Sequence, residues 1–360
     1  MNLVAARALI AGKIAERVSI ESTNGVIRAI ESDSGSPITV AGTLIPGFVD
    51  IHTHGAGGFY FSATDPGEIT TVISTHVAHG TTSMLASLVS EPIESLKHQI
   101  KTLVPFINTT AIKGIHLEGP YLAHAHCGAH DPALLKPPTI EELQMLIELS
   151  ENTIRMVTIA PELDGALDVI KFLVSQGINV ALGHTGADSH ITQQAIAAGA
   201  SIITHFNNGM PKINSGENIS SVALANSAIA LELILDGVHI NDADVASILS
   251  AAPHRIIAIT DAMSAAGSTD GDYAIGKLAV RVEEGVARLT SNNSLAGSTL
   301  TMDRAFLALI NNFGFSIAQA SDATSTFPAL RIGLRDVGSI EVGKRADFVE
   351  LTSEGLIKTL

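Results

Sequence analysis

The sequence predicts an α/β protein built as a (β/α)8 barrel of the TIM type, with a small β domain formed by the N- and C-terminal segments. Two observations support this prediction. Strand-like apolar runs alternate with helix-like segments over roughly 290 residues, which is the size of such a barrel. Strand-like runs without intervening helices occupy both ends of the chain. A doubly wound sheet is the alternative arrangement for the same alternation.

The two ends of the chain resemble each other. Residues 18–21 and 26–30 are strand-like and flank Asn24-Gly25. An Asn-Gly pair between two such runs is typical of a β-hairpin. Residues 340–343 and 346–351 have the pattern strand, turn, strand. We therefore expect the two ends to pair into one small β domain.

Eight strand-like runs make up the predicted barrel. They are 44–50, 83–88, 111–117, 154–160, 178–182, 201–204, 228–235 and 256–260. Intervening segments such as 139–151 and 166–176 repeat apolar residues with the period of a helix.

Residues 273–290 interrupt this alternation and predict a β-hairpin inserted after the eighth strand. The predicted division is therefore a β domain from 1–45 with 336–360, and a barrel from 46–335.

Composition narrows the functional classes. The 360 residues carry a formal net charge of −15, which argues against binding nucleic acid through general electrostatics. We recognise neither a signal peptide nor an apolar run of the roughly 18 residues that a membrane span needs. Cys127 is the single cysteine, so an intrachain disulfide is excluded. These features predict a cytoplasmic protein without nucleic-acid or membrane partners.

The first predicted barrel strand runs into His52 and His54. Residues i and i+2 of a strand point to the same face, so both imidazoles project together. Two neutral imidazoles at one point suit a divalent cation such as Zn²⁺. The alternative for so short a motif is two solvated loop histidines.

Further potential ligands follow other predicted strands. Glu118 ends the third strand, His184 and His205 follow the fifth and sixth, and Asp261 follows the eighth. In a parallel barrel these strand ends lie on one face, where active sites are built. Each residue has a structural alternative: a core histidine, a helix N-cap or a turn former. The recurrence at several strand ends favours a shared site.

Two histidines, one carboxylate and one open coordination position make a hydrolytic zinc site. Glu118, His184 and His205 can supply this set, and the histidine pair at 52 and 54 can hold a second ion with Glu118 bridging. An ion lowers the pKa of its bound water to about 7, which makes hydroxide available for attack. Asp261 can then take the proton of this water and pass it to a leaving nitrogen.

The order of these motifs resembles the N-acetylglucosamine-6-phosphate deacetylase family of the amidohydrolase superfamily. The motifs are HxH at 52–54, HLEGP at 116–120, GH at 183–184, THxxN at 204–208, DGxH at 236–239, TDA at 260–262 and LxGS at 295–298. The resemblance implies a barrel with a small β-sandwich formed by both termini. It implies a metal-dependent enzyme, usually a homodimer. It also implies hydrolysis of N-acetylglucosamine-6-phosphate to glucosamine-6-phosphate and acetate.

The resemblance also implies roles for individual residues. Glu118, His184 and His205 would hold one ion, zinc or else iron, and Asp261 would be the catalytic base and acid. His130 would be catalytic by steadying the developing oxyanion. The substrate would contact Ala129, His130, Asn208, Gly209, His239, Leu295, Ala296 and Gly297.

The chain departs from the family where the phosphate is expected. Gly216 stands at the position of the family's arginine, whose planar fork grips phosphate through two bonds. Lys212 is the alternative cation, and an unphosphorylated or isomeric N-acetylhexosamine is the alternative substrate. An amidohydrolase acting on a cyclic amide or an N-acyl amino acid, and a non-catalytic metal-binding protein, are the remaining alternatives.

Overall fold

The computed structural model describes residues 2–33 and 35–360. Its strands are β1 (Asn2–Ile10), β2 (Lys13–Thr23), β3 (Val26–Ser32), β4 (Val40–Pro46), β5 (Phe48–Thr53), β6 (Gly55–Ala56), β7 (Phe59–Tyr60), β8 (Thr81–Leu88), β9 (Ile112–Glu118), β10 (Ile154–Ile159), β11 (Asn179–Leu182), β12 (Ile202–Ile203), β13 (Ala230–Ile234), β14 (Ile256–Ile259), β15 (Gly271–Ile275), β16 (Leu278–Glu283), β17 (Val286–Leu289), β18 (Phe348–Leu351) and β19 (Ile357–Thr359).

Helices follow most of the barrel strands. They are α1 (Pro66–Ala78), α2 (Ile93–Leu103), α3 (Ile140–Leu149), α4 (Ala166–Ser175), α5 (Ser189–Ala197), α6 (Ile219–Ala225), α7 (Asp242–Ala251), α8 (Met302–Asn311), α9 (Ile317–Ser321) and α10 (Phe327–Arg331). Helix α3 illustrates why they form: the Thr139 hydroxyl accepts a hydrogen bond from the backbone of Glu142, and Leu143, Leu146 and Ile147 face the core. Within the described residues, none of these helices has the length and apolarity needed to cross a membrane.

Eight parallel strands form the barrel, in the order β14-β13-β12-β11-β10-β9-β8-β5. The predicted α/β class and the eight-stranded barrel are confirmed. The strands are buried on both faces, as expected for a parallel sheet covered by helices.

Strands β5 and β14 meet through side chains and strand-end backbone groups. The Thr260 hydroxyl donates to Asp50 Oδ2 at 2.5 Å, and the Asp261 N–H donates to the His52 carbonyl at 2.8 Å. The His54 N–H donates in turn to the carbonyl of Ala262 at 2.9 Å. This junction holds Asp261 beside His52, which lies in β5, and His54, which directly follows β5.

The chain termini share one six-stranded sheet, here called the terminal sheet, in the order β19-β18-β4-β1-β2-β3. The predicted hairpin is present between β2 and β3, and both Asn24 and Gly25 have positive φ, as a two-residue hairpin turn requires. The terminal sheet has its own hydrophobic cluster, which includes Ile20, Leu44 and Phe348. This separate core supports the division at residues 45 and 336, which we retain as a proposal.

Two predicted strands are wrong in their bounds. The run 44–50 is divided by Gly47, where a Cβ atom would lie 2.3 Å from the side chain of Thr82. The chain leaves the terminal sheet there and enters the barrel, and the apolar run continues through the change. Residues 340–343 form no strand, since only Ile340 makes an isolated bridge, to Ile10. The hairpin partner of β18 is instead β19, and β18 pairs with β4 on its other side.

The predicted insertion near 273–290 is an antiparallel sheet of β15, β16 and β17, here called the inserted sheet. It packs through Ile275, Val280 and Leu289 against Met263 and Ala296. Because Met263 lies two residues after Asp261, the inserted sheet stands directly beside the carboxyl ends of the barrel strands.

Candidate metal and substrate site

The predicted ligands converge at the carboxyl ends of the barrel strands. We call His52, His54, Glu118, His184, His205 and Asp261 the ligand cluster. Three of its members have positive φ: His184 (48°), His205 (27°) and Asp261 (47°). This backbone region is unfavourable for residues other than glycine, and such strain is concentrated at functional sites. The turns at the strand ends therefore aim these side chains inward.

One group of the cluster comprises His52, His54, Glu118 and Asp261, all buried. His54 Nε2 lies 3.1 Å from Glu118 Oε2 and 3.3 Å from Asp261 Oδ1. His52 Nε2 lies 3.4 Å from Glu118 Oε1. Four donor atoms close together in this way form a set that suits a divalent cation.

The second group comprises Glu118, His184 and His205. Glu118 Oε1 lies 3.3 Å from His184 Nε2 and 3.1 Å from His205 Nε2, and the two ring nitrogens are 3.0 Å apart. Glu118 therefore presents one oxygen to the second group and its other oxygen to His54. This arrangement is that of a carboxylate able to bridge two ions.

The hydrogen bonds of two of the rings fit metal binding. His184 Nδ1 lies 2.7 Å from the backbone carbonyl of His126, and His52 Nδ1 lies 3.0 Å from Glu232 Oε2. A carbonyl and a carboxylate only accept, so each Nδ1 carries the proton. Each Nε2 then turns a lone pair toward the cluster, which is the tautomer that a metal ligand needs.

Buried acidic groups and imidazole rings lie side by side in the cluster. Burial raises the pKa of Asp261, but His52 and His54 outweigh it and bring that pKa to about 2. Burial opposes the charged form of His52 as well, yet Glu118, Asp261 and Glu232 hold its pKa well above the usual range. The carboxylates thus favour positive charge in the cluster, whether protons or a metal ion carry it.

His130 lies at the edge of the cluster, with Nε2 3.5 Å from Glu118 Oε2. Its Nδ1 accepts a hydrogen bond from the Ser90 N–H at 3.3 Å and lies 2.8 Å from the Ser90 hydroxyl. Burial lowers the pKa of His130, which keeps the ring neutral. The single proton of the ring is therefore on Nε2, where it can be donated into the cavity.

A cavity of about 250 Å³ opens on the cluster. Most predicted substrate-contacting residues line it: Ala129, His130, Asn208, Gly209, His239, Leu295 and Gly297. Ala296 does not line it, because its side chain is buried beneath the inserted sheet. His52 is likewise fully buried, behind the cavity wall.

The sequence did not predict some other residues that line the cavity or support the ligand cluster. Tyr60, Val89, Met263 and Ile275 are apolar or aromatic and resemble core residues in the sequence, although they line the cavity. Glu232 could have been identified from the sequence, because it is the single charged residue within the apolar run that forms β13. A carboxylate in such a buried run requires a partner, and here the partner is His52.

The comparisons with known proteins identify the family of this chain. Residues 43–356 match the model of the Amidohydrolase family, and the chain belongs to that family. It is 35% identical to N-acetylgalactosamine-6-phosphate deacetylase of Escherichia coli O157:H7, over 92% of this chain and 89% of the relative. It is 34% identical to N-acetylglucosamine-6-phosphate deacetylase of Vibrio furnissii, over 92% and 86% of the two chains.

Among solved structures, the chain is similar to N-acetyl-D-glucosamine-6-phosphate deacetylase of Mycobacterium smegmatis. The TM-score is 0.94 at 36% identity, with 99% of this chain and 97% of the other covered. The corresponding enzyme of Pasteurella multocida gives a TM-score of 0.92 at 26% identity, with 99% and 97% covered. The overall architecture of this chain is thus that of known deacetylases.

Proposed function

We propose that this protein hydrolyses the acetamide of an N-acetylated amino-sugar phosphate, releasing acetate and the free amine. The observation that carries the proposal is Glu118, whose two oxygens join two ligand groups on the floor of one cavity. Asp261 and His130 face the same cavity and supply an acid–base group and a hydrogen-bond donor. Deacetylases among the similar proteins support this reaction class.

The metal proposed for the site is zinc, with iron as the second candidate, in one or two ions per chain. Imidazole nitrogens and carboxylate oxygens are donors that zinc favours. His184, His205 and Glu118 would hold one ion, and His52 and His54 a second, with Glu118 shared. A bound ion of this kind lowers the pKa of a coordinated water to about 7 and polarises a carbonyl oxygen.

The protein's own groups complete the chemistry. Asp261, as carboxylate, accepts the proton that the attacking water gives up. It then delivers this proton to the sugar nitrogen, because an amide anion is a very poor leaving group. The Nε2–H of His130 donates to the carbonyl oxygen as negative charge develops there. Asn208, Gly209, His239 and the 295–297 turn would position the sugar.

N-acetylglucosamine-6-phosphate is the substrate we propose. A variant of the Mycobacterium smegmatis enzyme, 36% identical to this chain, is solved in complex with that compound. The galacto isomer is a second candidate, because the Escherichia coli relative at 35% identity is named for it. Acetate release from N-acetylglucosamine, its 6-phosphate and the galacto and manno 6-phosphates tests both. Absence of acetate release from all of them, with metal bound, would contradict the proposed reaction.

The phosphate contact is proposed for Lys212. Its ammonium group donates to the carbonyl oxygen of Asn207, next to the predicted sugar contacts at Asn208 and Gly209. In the part of the chain that the structure describes, no lysine or arginine lines the cavity itself. Lys212 is the basic side chain nearest in sequence to the predicted sugar contacts, and we propose it for this reason.

Lys212→Met tests this assignment. A lost charge-assisted hydrogen bond costs about 1.5–3 kcal/mol, so kcat/KM for the phosphorylated sugar should fall by about 10- to 100-fold. The rate on the unphosphorylated sugar should stay unchanged. The matched control is Lys171→Met on α4, where the lysine pairs with Asp168 at the surface. An equal loss on both sugars would show that Lys212 supports the loop and does not contact the phosphate.

We further propose a homodimer in the cytoplasm. The resemblance to the deacetylase family supports the dimer, and a sugar phosphate, being an anion that does not cross membranes unaided, supports the location. Sedimentation velocity tests the dimer directly, since one chain has a mass of 37.4 kDa. A species of monomer mass at micromolar concentration would contradict it.

A further inference from the structure

Glu232 lies beneath the ligand cluster, fully buried in the middle of β13. A carboxylate in such a place is costly unless charged or polar partners surround it. Within residues 2–33 and 35–360, its Oε1 has no hydrogen-bond partner. Its Oε2 accepts two hydrogen bonds, one from the ring of His52 and one from the backbone N–H of His205. Both residues are metal-ligand candidates.

The first contact orients a ring. His52 Nδ1 donates to Glu232 Oε2 at 3.0 Å. This bond fixes which nitrogen of His52 carries the proton and holds Nε2 3.2 Å from His54 Nε2. Carboxylates that receive the second nitrogen of a metal-bound histidine orient that ligand and raise its basicity.

The second contact orients a backbone turn. The same Oε2 accepts the backbone N–H of His205 at 3.2 Å, and the Glu232 carbonyl accepts the N–H of Phe206 at 2.7 Å. His205 sits at φ 27°, a strained conformation that surrounding contacts must hold. Glu232 thus clamps the turn from which His205 reaches Glu118.

We infer that Glu232 is a positioning residue that couples the two ligand groups. One carboxylate oxygen orients a ligand of the first group through its ring and a ligand of the second group through its backbone. His184 has a separate support, because its Nδ1 donates to the carbonyl of His126. The inference rests on the metal site of the proposed function.

The test is stepwise metal affinity, measured by chelator competition with Zn²⁺ in the full-length protein. Glu232→Gln keeps the size of the side chain but removes its charge. We expect the weaker ion at His52 and His54. Loss of an outer partner of a metal ligand typically costs 10- to 100-fold in affinity, so the affinity of this weaker step should fall by about that factor. The matched control is Glu350→Gln in the terminal sheet, a buried glutamate remote from the cluster. Its two steps should equal those of wild type.

The backbone contact is tested in a His54→Ala background, in which one ion remains at Glu118, His184 and His205. Adding Glu232→Gln should weaken this ion about fivefold, the difference between a charge-assisted and a neutral hydrogen bond. An unchanged affinity there overturns the coupling to His205.

An unchanged weaker step in Glu232→Gln, with a native circular dichroism spectrum, overturns the orientation of His52. Absence of metal binding in wild type would contradict the proposed metal site itself, so the two failures are distinguishable. Cobalt absorption spectra report geometry as well: Co²⁺ bands should shift in Glu232→Gln and stay unchanged in Glu350→Gln.

Discussion

The barrel mouth and the terminal sheet each bury a glutamate, and the two are satisfied in opposite ways. In the terminal sheet, Glu350 Oε1 accepts the N–H of Gly42 at 2.6 Å, and Lys358 lies 4.0 Å from Oε2. In the barrel, Glu118 is surrounded by the rings of histidines, and burial of so many ionisable groups is expensive without a counter-charge.

This difference between the two buried glutamates distinguishes a structural region from a candidate functional site. Glu350 completes the hydrogen bonding of its own sheet and requires nothing from outside. The ligand cluster differs, because its Nε2 atoms and carboxylate oxygens approach one another, as between His184 and His205 at 3.0 Å and between His52 and Asp261 at 3.6 Å. Such a convergence of imidazole nitrogens and carboxylate oxygens suits a divalent cation. The barrel mouth therefore has the donor set of a metal site. The terminal sheet satisfies its buried glutamate with its own groups.

The largest effect should come from the shared carboxylate. Glu118→Gln removes the negative charge that both ligand groups use, so we expect the protein to lose most of its metal and its activity. Affinity should fall by more than the 10- to 100-fold typical for an outer partner of a ligand. Elemental analysis after desalting measures this. We expect His184→Ala to lose most of its metal as well. Wild-type metal content in both variants would contradict the assignment of Glu118 and His184 as ligands.

The two ligand groups should separate in a milder experiment. Replacing His52 and His54 together by alanine removes two donors of the first group and leaves Glu118, His184 and His205 in place. We expect a loss of about one equivalent of metal, because three protein ligands suffice for a catalytic ion. A double variant that retains no metal at all would mean that the groups depend on each other for binding.

The terminal sheet should respond in stability alone. Glu350→Leu leaves the buried N–H of Gly42 without its acceptor, which costs about 1–3 kcal/mol in the free energy of unfolding. Denaturant titration measures this loss, and elemental analysis should find the wild-type metal content. A loss of metal in this variant would show that the two regions are not independent.

The smallest effect concerns His79 and Asp303, whose side chains lie 2.9 Å apart at the barrel surface. The bond with Asp303 raises the pKa of His79, which stands about half-buried. Stability from this pair is therefore present below the unfolded pKa of histidine, about 6.5, and lost as pH rises through the folded pKa. Solvent screening limits it to about 0.5 kcal/mol. His79→Gln should flatten the stability profile in that window, and an unchanged profile would contradict the pairing.

The ligand cluster could be predicted because its signals are local. His52 and His54 share a strand face by spacing alone, and Glu118, His184, His205 and Asp261 each end an apolar run. The rule that parallel strands end on one face then brings distant residues together. The barrel could also be predicted from local signals, because strand-like and helix-like segments alternate along the sequence.

The remaining features depend on contacts that the sequence does not mark. Gly47 moves the chain from one sheet to the other without interrupting the apolar run. Ile275 lines the cavity because it belongs to the inserted sheet, which packs against Met263 beside the barrel mouth. Ala296 sits within a motif that resembles a substrate turn, yet its small side chain packs inward against that sheet. Burial decided these positions, and burial is a property of the assembled fold.

The most direct test of this account is turnover by Asp261→Asn with its metal content measured in the same preparation. Asparagine keeps the shape of the side chain but cannot carry the proton from water to the leaving nitrogen. General acid–base catalysis contributes about 10²- to 10⁴-fold, so kcat for acetate release should fall by at least about 10²-fold while metal is largely retained. A metal-replete Asp261→Asn enzyme within roughly tenfold of wild type would show that the proton travels by another route.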